Sequence, residues 1–120
     1  MINYIKSTVL LLALDSIYIK STMGHINKVV KSIQGTAIKF NMYAAVACYL
    51  VLAFAINYFI IKDKKSVVDA FLLGFVIYGV FDLTNKAVFT KYKWNIAIQD
   101  MFWGGVLFYT TTFIFYKITI

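Results

Sequence analysis

The fold is decided by residues 74–105, which read GFVIYGVFDLTNKAVFTKYKWNIAIQDMFWGG. An apolar stretch runs into the sequence DLTN at 82–85, a short lysine-containing connection follows, and a second apolar stretch begins with QD at 99–100. Apolar blocks that approach 20 residues are typical of helices that cross a membrane. This region therefore predicts two antiparallel membrane helices that carry carboxyl groups close to the turn joining them.

The composition of the 120-residue chain favours a membrane protein. The chain is 62% hydrophobic and 18% aromatic, contains no proline, and has a mean hydropathy of +0.78. A soluble domain of this length could not bury so much apolar surface. Its single cysteine, Cys48, permits no internal disulfide and no multi-cysteine metal site.

The net charge of +7 comes entirely from lysine, since the chain has no arginine, and its acidic residues are all aspartate. The lysines lie in the gaps between apolar blocks, where charges that flank membrane spans are found. Arginine is the side chain that most often reads bases and binds phosphates through its forked guanidinium group. We therefore expect no nucleic acid among the partners.

The apolar blocks predict an all-α fold: a polytopic membrane protein built as an antiparallel four-helix transmembrane bundle, one domain over residues 1–120. The predicted spans cover about residues 2–19, 40–61, 66–83 and 94–116. In the first loop, Ile26, Val29, Val30 and Ile33 recur at helical spacing. That pattern fits a short amphipathic helix at the membrane interface, and an ordinary solvated loop is the alternative.

Four antiparallel spans would bring three acids, Asp15, Asp82 and Asp100, to nearly one depth in the membrane. A charged group at the centre of a span costs roughly 2.5–3.5 kcal/mol on the insertion scale. Three ionised carboxylates also repel one another, so the cluster predicts a shared proton or a bound cation. The side chains expected beside the acids are His25, Tyr78, Asn85, Gln99 and Trp103.

A purely structural interpretation of the acids is also open. Asp82 could pair with Lys86 one helical turn later, and Asp15 could pair with Lys20. Asp100 could accept the hydroxyl of Tyr78. The acids would then fix the register and depth of the helices without forming a site.

The residues that carry this pattern lie along most of the chain: Leu14-Asp15, Gly24-His25, Gly74, Tyr78, the sequence DLTN at 82–85, Trp94, Asp100 and Trp103-Gly104. Together they resemble a family of predicted four-span membrane proteins of unknown function, with members in bacteria and in some large DNA viruses. Two positions depart from that pattern: Phe81 stands where the family usually has tyrosine, and Tyr18 where it usually has tryptophan. The resemblance implies a fold and a set of residues, and it implies no reaction.

Three functions fit the sequence. The first is a membrane-embedded carboxylate site that binds or transports a proton, a cation or a small polar ligand, as in a transporter. The second is a structural or assembly protein of a cellular or viral membrane, with homo-oligomers held through its glycines. The third and least favoured is an intramembrane enzyme that modifies lipids, because the chain has no recognisable nucleophile motif, HExxH motif or phosphate-binding loop.

The partners and the location follow from the same features. The lipid bilayer is the expected partner, and no cofactor can be named. Carboxylate oxygens suit Mg²⁺ or Ca²⁺ and His25 would admit transition metals, although the spacing matches no known metal motif. The protein is expected in a cell inner or plasma membrane or in a viral membrane. More lysines lie in the first and third loops, so the positive-inside rule places the termini on the opposite, non-cytoplasmic side.

Overall fold

The computed structural model describes residues 2–35 and 42–118, and nearly all of this part is helical. It therefore confirms the all-α class over the described residues. The elements in chain order are α1 (Ile2–Gln34), α2 (Met42–Ile56) continued by a π-helical turn (Asn57–Ile61), α3 (Val67–Val88) and α4 (Trp94–Ile118).

Two helical stretches, Met42–Ile61 and Val67–Val88, are long and apolar enough to cross a membrane. They coincide with the second and third predicted spans, and the third continues five residues beyond its predicted end at Leu83. The first and fourth spans and the four-span bundle stay predictions.

Helix α1 is longer than the sequence predicted. The apolar part was expected to end near Ile19 and a loop to follow, but the helix continues without a break to Gln34. The chain has no proline to end it, and a glycine such as Gly24 inside a helix costs only about 1 kcal/mol. The helix stops at Gly35, which has a φ of 80° and whose N–H donates to the Lys31 carbonyl at 2.8 Å. The predicted amphipathic segment is thus helical, but it is the end of α1; its place at a membrane interface stays a prediction.

Hydrogen bonds between helices give an antiparallel arrangement. Near the start of α1, Ser7 donates to the side chain of Asn57 in the π-helical turn at 2.8 Å. At the end of α4, the Tyr116 hydroxyl donates to the carbonyl of Lys65 in the next turn at 2.7 Å. The start of α1, the turn between α2 and α3, and the end of α4 therefore lie at one end of the molecule.

Helices α3 and α4 form the closest helix pair in the described structure, and glycines make this possible. The backbones meet at Gly74 and Gly104, where a Cβ on Gly74 would lie 2.8 Å from the carbonyl carbon of Gly104. The ring of Tyr78 covers Gly104, and the ring of Phe71 covers Gly105. Small residues at such crossings let helices approach closely inside a membrane. Since these glycines are buried within the chain, they are occupied by its own packing and are not a free surface for a second copy.

Candidate functional site

Asp15 lies in the middle of α1 and is 5% exposed. The indole N–H of Trp103 in α4 donates to Asp15 Oδ1 at 2.9 Å, and the hydroxyl of Tyr49 in α2 donates to Oδ2. Tyr18, one turn further along α1, stacks on the Trp103 ring with centroids 4.5 Å apart and planes 5° apart. One carboxylate thus connects three helices, and both of its oxygens have donors.

Asp82 lies in the second half of α3 and is completely buried. The hydroxyl of Tyr92, in the connection between α3 and α4, donates to Asp82 Oδ1 at 2.6 Å. Burial, and then the hydrogen bond to Asp82, raise the pKa of Tyr92 above its ordinary range, so this hydroxyl keeps its proton through neutral pH. The other oxygen, Asp82 Oδ2, is buried and has no donor among the described residues.

Asp100 in α4 lies beside Asp82, and the two carboxyl groups are close enough to interact directly. An ionised carboxylate only accepts hydrogen bonds, so Asp100 can serve as a donor to Asp82 only when it carries a proton. The hydroxyl of Tyr18 approaches Asp100 from α1, and the Gln99 amide lies 3.5 Å from that hydroxyl. The carboxyl group of Asp82 in α3 is therefore linked through Asp100 in α4 to the hydroxyl of Tyr18 in α1.

The predicted cluster of three acids is divided in the structure. Asp82 and Asp100 form a direct pair, whereas Asp15 is held separately by Tyr49 and Trp103. Asp15 still contributes to the electrostatic environment of Asp100. The sequence predicted only that the three acids share nearly one depth. In the structure aromatic donors surround Asp15, and the other two acids face each other.

Tyr78 and Asn85, two more of the predicted residues, lie around this pair. Tyr78 packs over Gly104 with both Asp15 and Asp100 nearby. Asn85, one turn past Asp82, approaches the hydroxyl of Tyr92. His25 belongs to α1, but its side chain lies outside the described residues.

The lysine pairings offered as a structural explanation are not formed in the described part of the chain. The Lys86 ammonium donates to the Thr90 carbonyl at 3.3 Å and lies over the ring of Trp94, and Asp82 accepts from Tyr92 instead. Lys20 is exposed, while the donors to Asp15 are aromatic side chains. The donors to Asp15 and Asp82 in this region are therefore uncharged, and no lysine of the described residues lies beside the acids.

Two tyrosines that complete the site were not predicted from the sequence. Tyr92 lies in the connection between α3 and α4, and Tyr49 lies in α2; no sequence motif distinguishes either residue. The antiparallel pairing of α1 with α2 places Tyr49 opposite Asp15, just as it places Asn57 opposite Ser7. Hydroxyl groups at the depth of the predicted acids were the signal that could have identified them.

No group of three or more His, Cys, Asp or Glu side chains arranged to hold a metal ion is found within residues 2–35 and 42–118, with the side chain of His25 outside the comparison. The site offered by the described residues is thus a pair of carboxyl groups with phenol and amide neighbours. Such a pair can share one proton or bind one positively charged group.

A family model matches residues 1–116 and is described as "Predicted membrane protein (DUF2177)". The chain belongs to this family. Neither the comparison with curated proteins nor that with solved structures gives a match. Family membership and the two apolar helices together identify a membrane protein that sits in a lipid bilayer, as the composition predicted.

Proposed function

We propose that this protein is a four-span membrane protein that holds an embedded carboxylate site, with Asp82 and Asp100 at its centre, for a proton, a cation or a small polar ligand. Transport of that species across the membrane is the function that such a site would serve. Asp15 is also part of this site, and its role is to position Trp103 and Tyr18 beside the pair.

The observation that carries the proposal is the state of Asp82. Its side chain is completely buried, one of its oxygens has no donor in the described structure, and another acid, Asp100, lies beside it. A buried polar atom without a partner costs about 1–3 kcal/mol, and more when it is charged. A fold that tolerates this cost at a pair of acids, with no lysine of residues 2–35 and 42–118 beside it, is best explained by a proton or a ligand that occupies the pair during function.

The antiparallel order of the helices supports four spans. A bundle in which α1, α2, α3 and α4 alternate in direction would place the start of α1 and the end of α4 on one side of the membrane. The pair would then lie near the opposite side, and Tyr92 in the α3–α4 connection would lie between Asp82 and that surface.

The site can be tested with dicyclohexylcarbodiimide, an apolar reagent that reacts with carboxyl groups that carry a proton. We expect one adduct per chain on the detergent-solubilised protein at neutral pH, located at Asp100 or Asp82 by peptide mass mapping. Labelling should fall to background in Asp100→Asn and should decrease strongly in Asp82→Asn. The reason is that the two acids share one proton or cation, and a single acid no longer holds it in the same way. Protection of the native protein by one particular cation would identify that cation as the ligand.

Asp69→Asn is the matched control for this experiment. Asp69 is also an aspartate of α3, but it is exposed in the first turn, where its backbone N–H donates to Ser66. Its replacement should leave the labelling unchanged. Equal labelling of Asp82→Asn, Asp100→Asn and the native chain would remove the proposed site.

The alternative of a structural protein makes a different prediction for the same variants. If the acids only hold the bundle together, Asp82→Asn should lower the yield of folded protein. Under our proposal Asp82→Asn should be as stable as the native chain or more stable, because an asparagine amide can donate to Asp100 and its oxygen can still accept from Tyr92. Size-exclusion chromatography and thermal unfolding in detergent distinguish the two.

A further inference from the structure

A groove of about 450 Å³ runs between α2 and α3, two consecutive helices that make little direct contact with each other. Its walls are apolar and include Ala47 and Val51 from α2 and Ile77 and Phe81 from α3. Asp100 of α4 also lines the groove. Small-molecule sites have volumes of roughly 300–1,000 Å³ and are mainly apolar with a few polar groups that fix the ligand, so the groove has the size and composition of such a site.

The groove is accessible from the side of the molecule. Val51 and Phe81, which border it, are 66% and 59% exposed. In a membrane protein such exposed apolar side chains face lipid, so a molecule dissolved in the bilayer could enter the groove without passing through water.

The charge of the groove selects the occupant. The chain carries a net charge of +7, yet among the described residues no lysine lines this groove, and the charged residue in its wall is Asp100. Asp100 also faces Asp82, whose Oδ2 has no donor among the described residues. A positively charged donor would satisfy this pair, whereas an anionic head group would be repelled by both acids and a neutral apolar molecule would leave them unpaired.

We propose that the groove binds a lipid-soluble amine, with its alkyl chain between α2 and α3 and its protonated nitrogen at Asp100. The inference rests on the proposed function, because it names the class of ligand that the carboxylate pair would take. The alkyl chain gains contact with the apolar walls, and the ammonium group supplies the hydrogen bonds that Asp82 and Asp100 cannot supply to each other while both are ionised.

Dodecylamine is a suitable probe, with dodecanol and dodecanoate as controls of the same chain length and different head group. Binding to the detergent-solubilised full chain is measured by native mass spectrometry and by the shift in thermal unfolding. We expect saturable binding of one dodecylamine, and binding about tenfold weaker or worse for both control amphiphiles. The same loss is expected for dodecylamine on Asp100→Asn, since a hydrogen bond to a charged group contributes about 1.5–3 kcal/mol.

Cys48 provides an internal reporter of position. It is the one cysteine in the sequence, it is exposed, and it lines the groove. Dodecylamine should slow its alkylation by N-ethylmaleimide, measured as a single mass addition to the intact chain. The variant Ala47→Phe fills the groove without changing an acid and should reduce dodecylamine binding even if Asp100→Asn fails to fold. Val46→Phe, an exposed neighbour that does not line the groove, should bind dodecylamine like the native chain.

The outcomes separate this inference from the function on which it rests. Equal binding of all three amphiphiles, or unchanged dodecylamine binding in Ala47→Phe, would overturn the amine site. Carbodiimide labelling of Asp100 together with no dodecylamine binding would keep the carboxylate site and reject the amine as its ligand. Selective binding that is lost in Ala47→Phe and retained in Val46→Phe would establish the groove as the amine site.

Discussion

Replacing Gly74 or Gly104 by alanine is expected to destabilise the detergent-solubilised protein strongly, by about 1–3 kcal/mol or more for each added methyl group. A Cβ on Gly74 would lie 2.8 Å from the Gly104 carbonyl carbon and 2.9 Å from the Cβ of Phe108. A Cβ on Gly104 would lie 2.6 Å from the Cβ of Tyr78. These neighbours are backbone or the first atoms of side chains, so the helices would have to move apart. Thermal unfolding in detergent measures the loss.

Two other glycines serve as matched controls. At Gly79 the nearest atom to an added Cβ is the terminal methyl of Met101 at 3.3 Å, and methionine is flexible enough to adjust. An added Cβ at Gly24 in α1 would meet no atom of the described residues within 4 Å, so Gly24→Ala should leave the stability unchanged or raise it by up to about 1 kcal/mol through helix propensity. Loss of stability in Gly24→Ala equal to that in Gly74→Ala would contradict a specific contact between α3 and α4.

The same substitutions also test the site. Tyr78 covers Gly104 and lines the groove that leads to Asp100, so separation of α3 from α4 displaces both the groove wall and the carboxylate pair. Gly104→Ala should therefore decrease carbodiimide labelling more than Gly79→Ala does, even at a temperature where both variants remain folded. Equal labelling of the two variants would show that the pair does not depend on this crossing.

The sequence predicted the parts of this structure that depend on composition and on helical periodicity. The charge-free block around Cys48 and the block before Asp82 are helices that can cross a membrane. In lipid a helix satisfies every backbone N–H and C=O group within the segment itself, so long apolar blocks predict helices. The extension of α1 was not predicted, because the polar residues after Ile19 suggested a loop. Polar residues alone do not end a helix; a proline or a turn-forming residue does. The segment from Lys20 to Gln34 contains no proline, and its apolar residues recur at helical spacing, which is compatible with a continuous helix.

The candidate site could be predicted only in part, because the sequence indicates the depth of a residue along its helix but not the direction in which its side chain points. Periodicity and the predicted antiparallel order lead us to expect Asp15, Asp82 and Asp100 at similar depth, since depth follows from counting residues along each predicted span. Which acids touch depends on the rotation of each helix about its axis, and this is set by packing such as Gly74 against Gly104. For that reason the Asp82–Asp100 pair and the tyrosine donor to Asp15 emerge only from the three-dimensional arrangement.

Asp15→Ala is the second substitution with a large expected effect, and it should affect stability rather than ligand binding alone. It removes the acceptor for both Trp103 and Tyr49, and a buried donor left without a partner costs about 1–3 kcal/mol. The melting temperature in detergent should fall well below that of the native chain. Asp15→Asn keeps one acceptor oxygen, so it should have an intermediate stability.

Removing the donors identifies the source of that loss. Tyr49→Phe and Trp103→Phe should each cost less than Asp15→Ala, because Asp15 then keeps one of its two donors. Tyr49→Phe combined with Asp15→Ala should cost less than the sum of the two single substitutions, since the second change removes a donor that already lacks a partner. Exact additivity of the two would contradict the hydrogen bond that links α1 to α2.

The contrast between Asp15 and Asp82 then tests which acid is structural and which one carries the proposed function. Both are buried, but Asp15 has donors at both oxygens, whereas Asp82 has a donor at one oxygen and an acid as neighbour. A satisfied acid stabilises the arrangement around it, and an unsatisfied one lowers stability unless its ligand is present. Asp15→Asn should therefore destabilise the protein and Asp82→Asn should not, while Asp82→Asn should lose carbodiimide labelling more completely. The reverse order in both measurements would assign the functional role to Asp15.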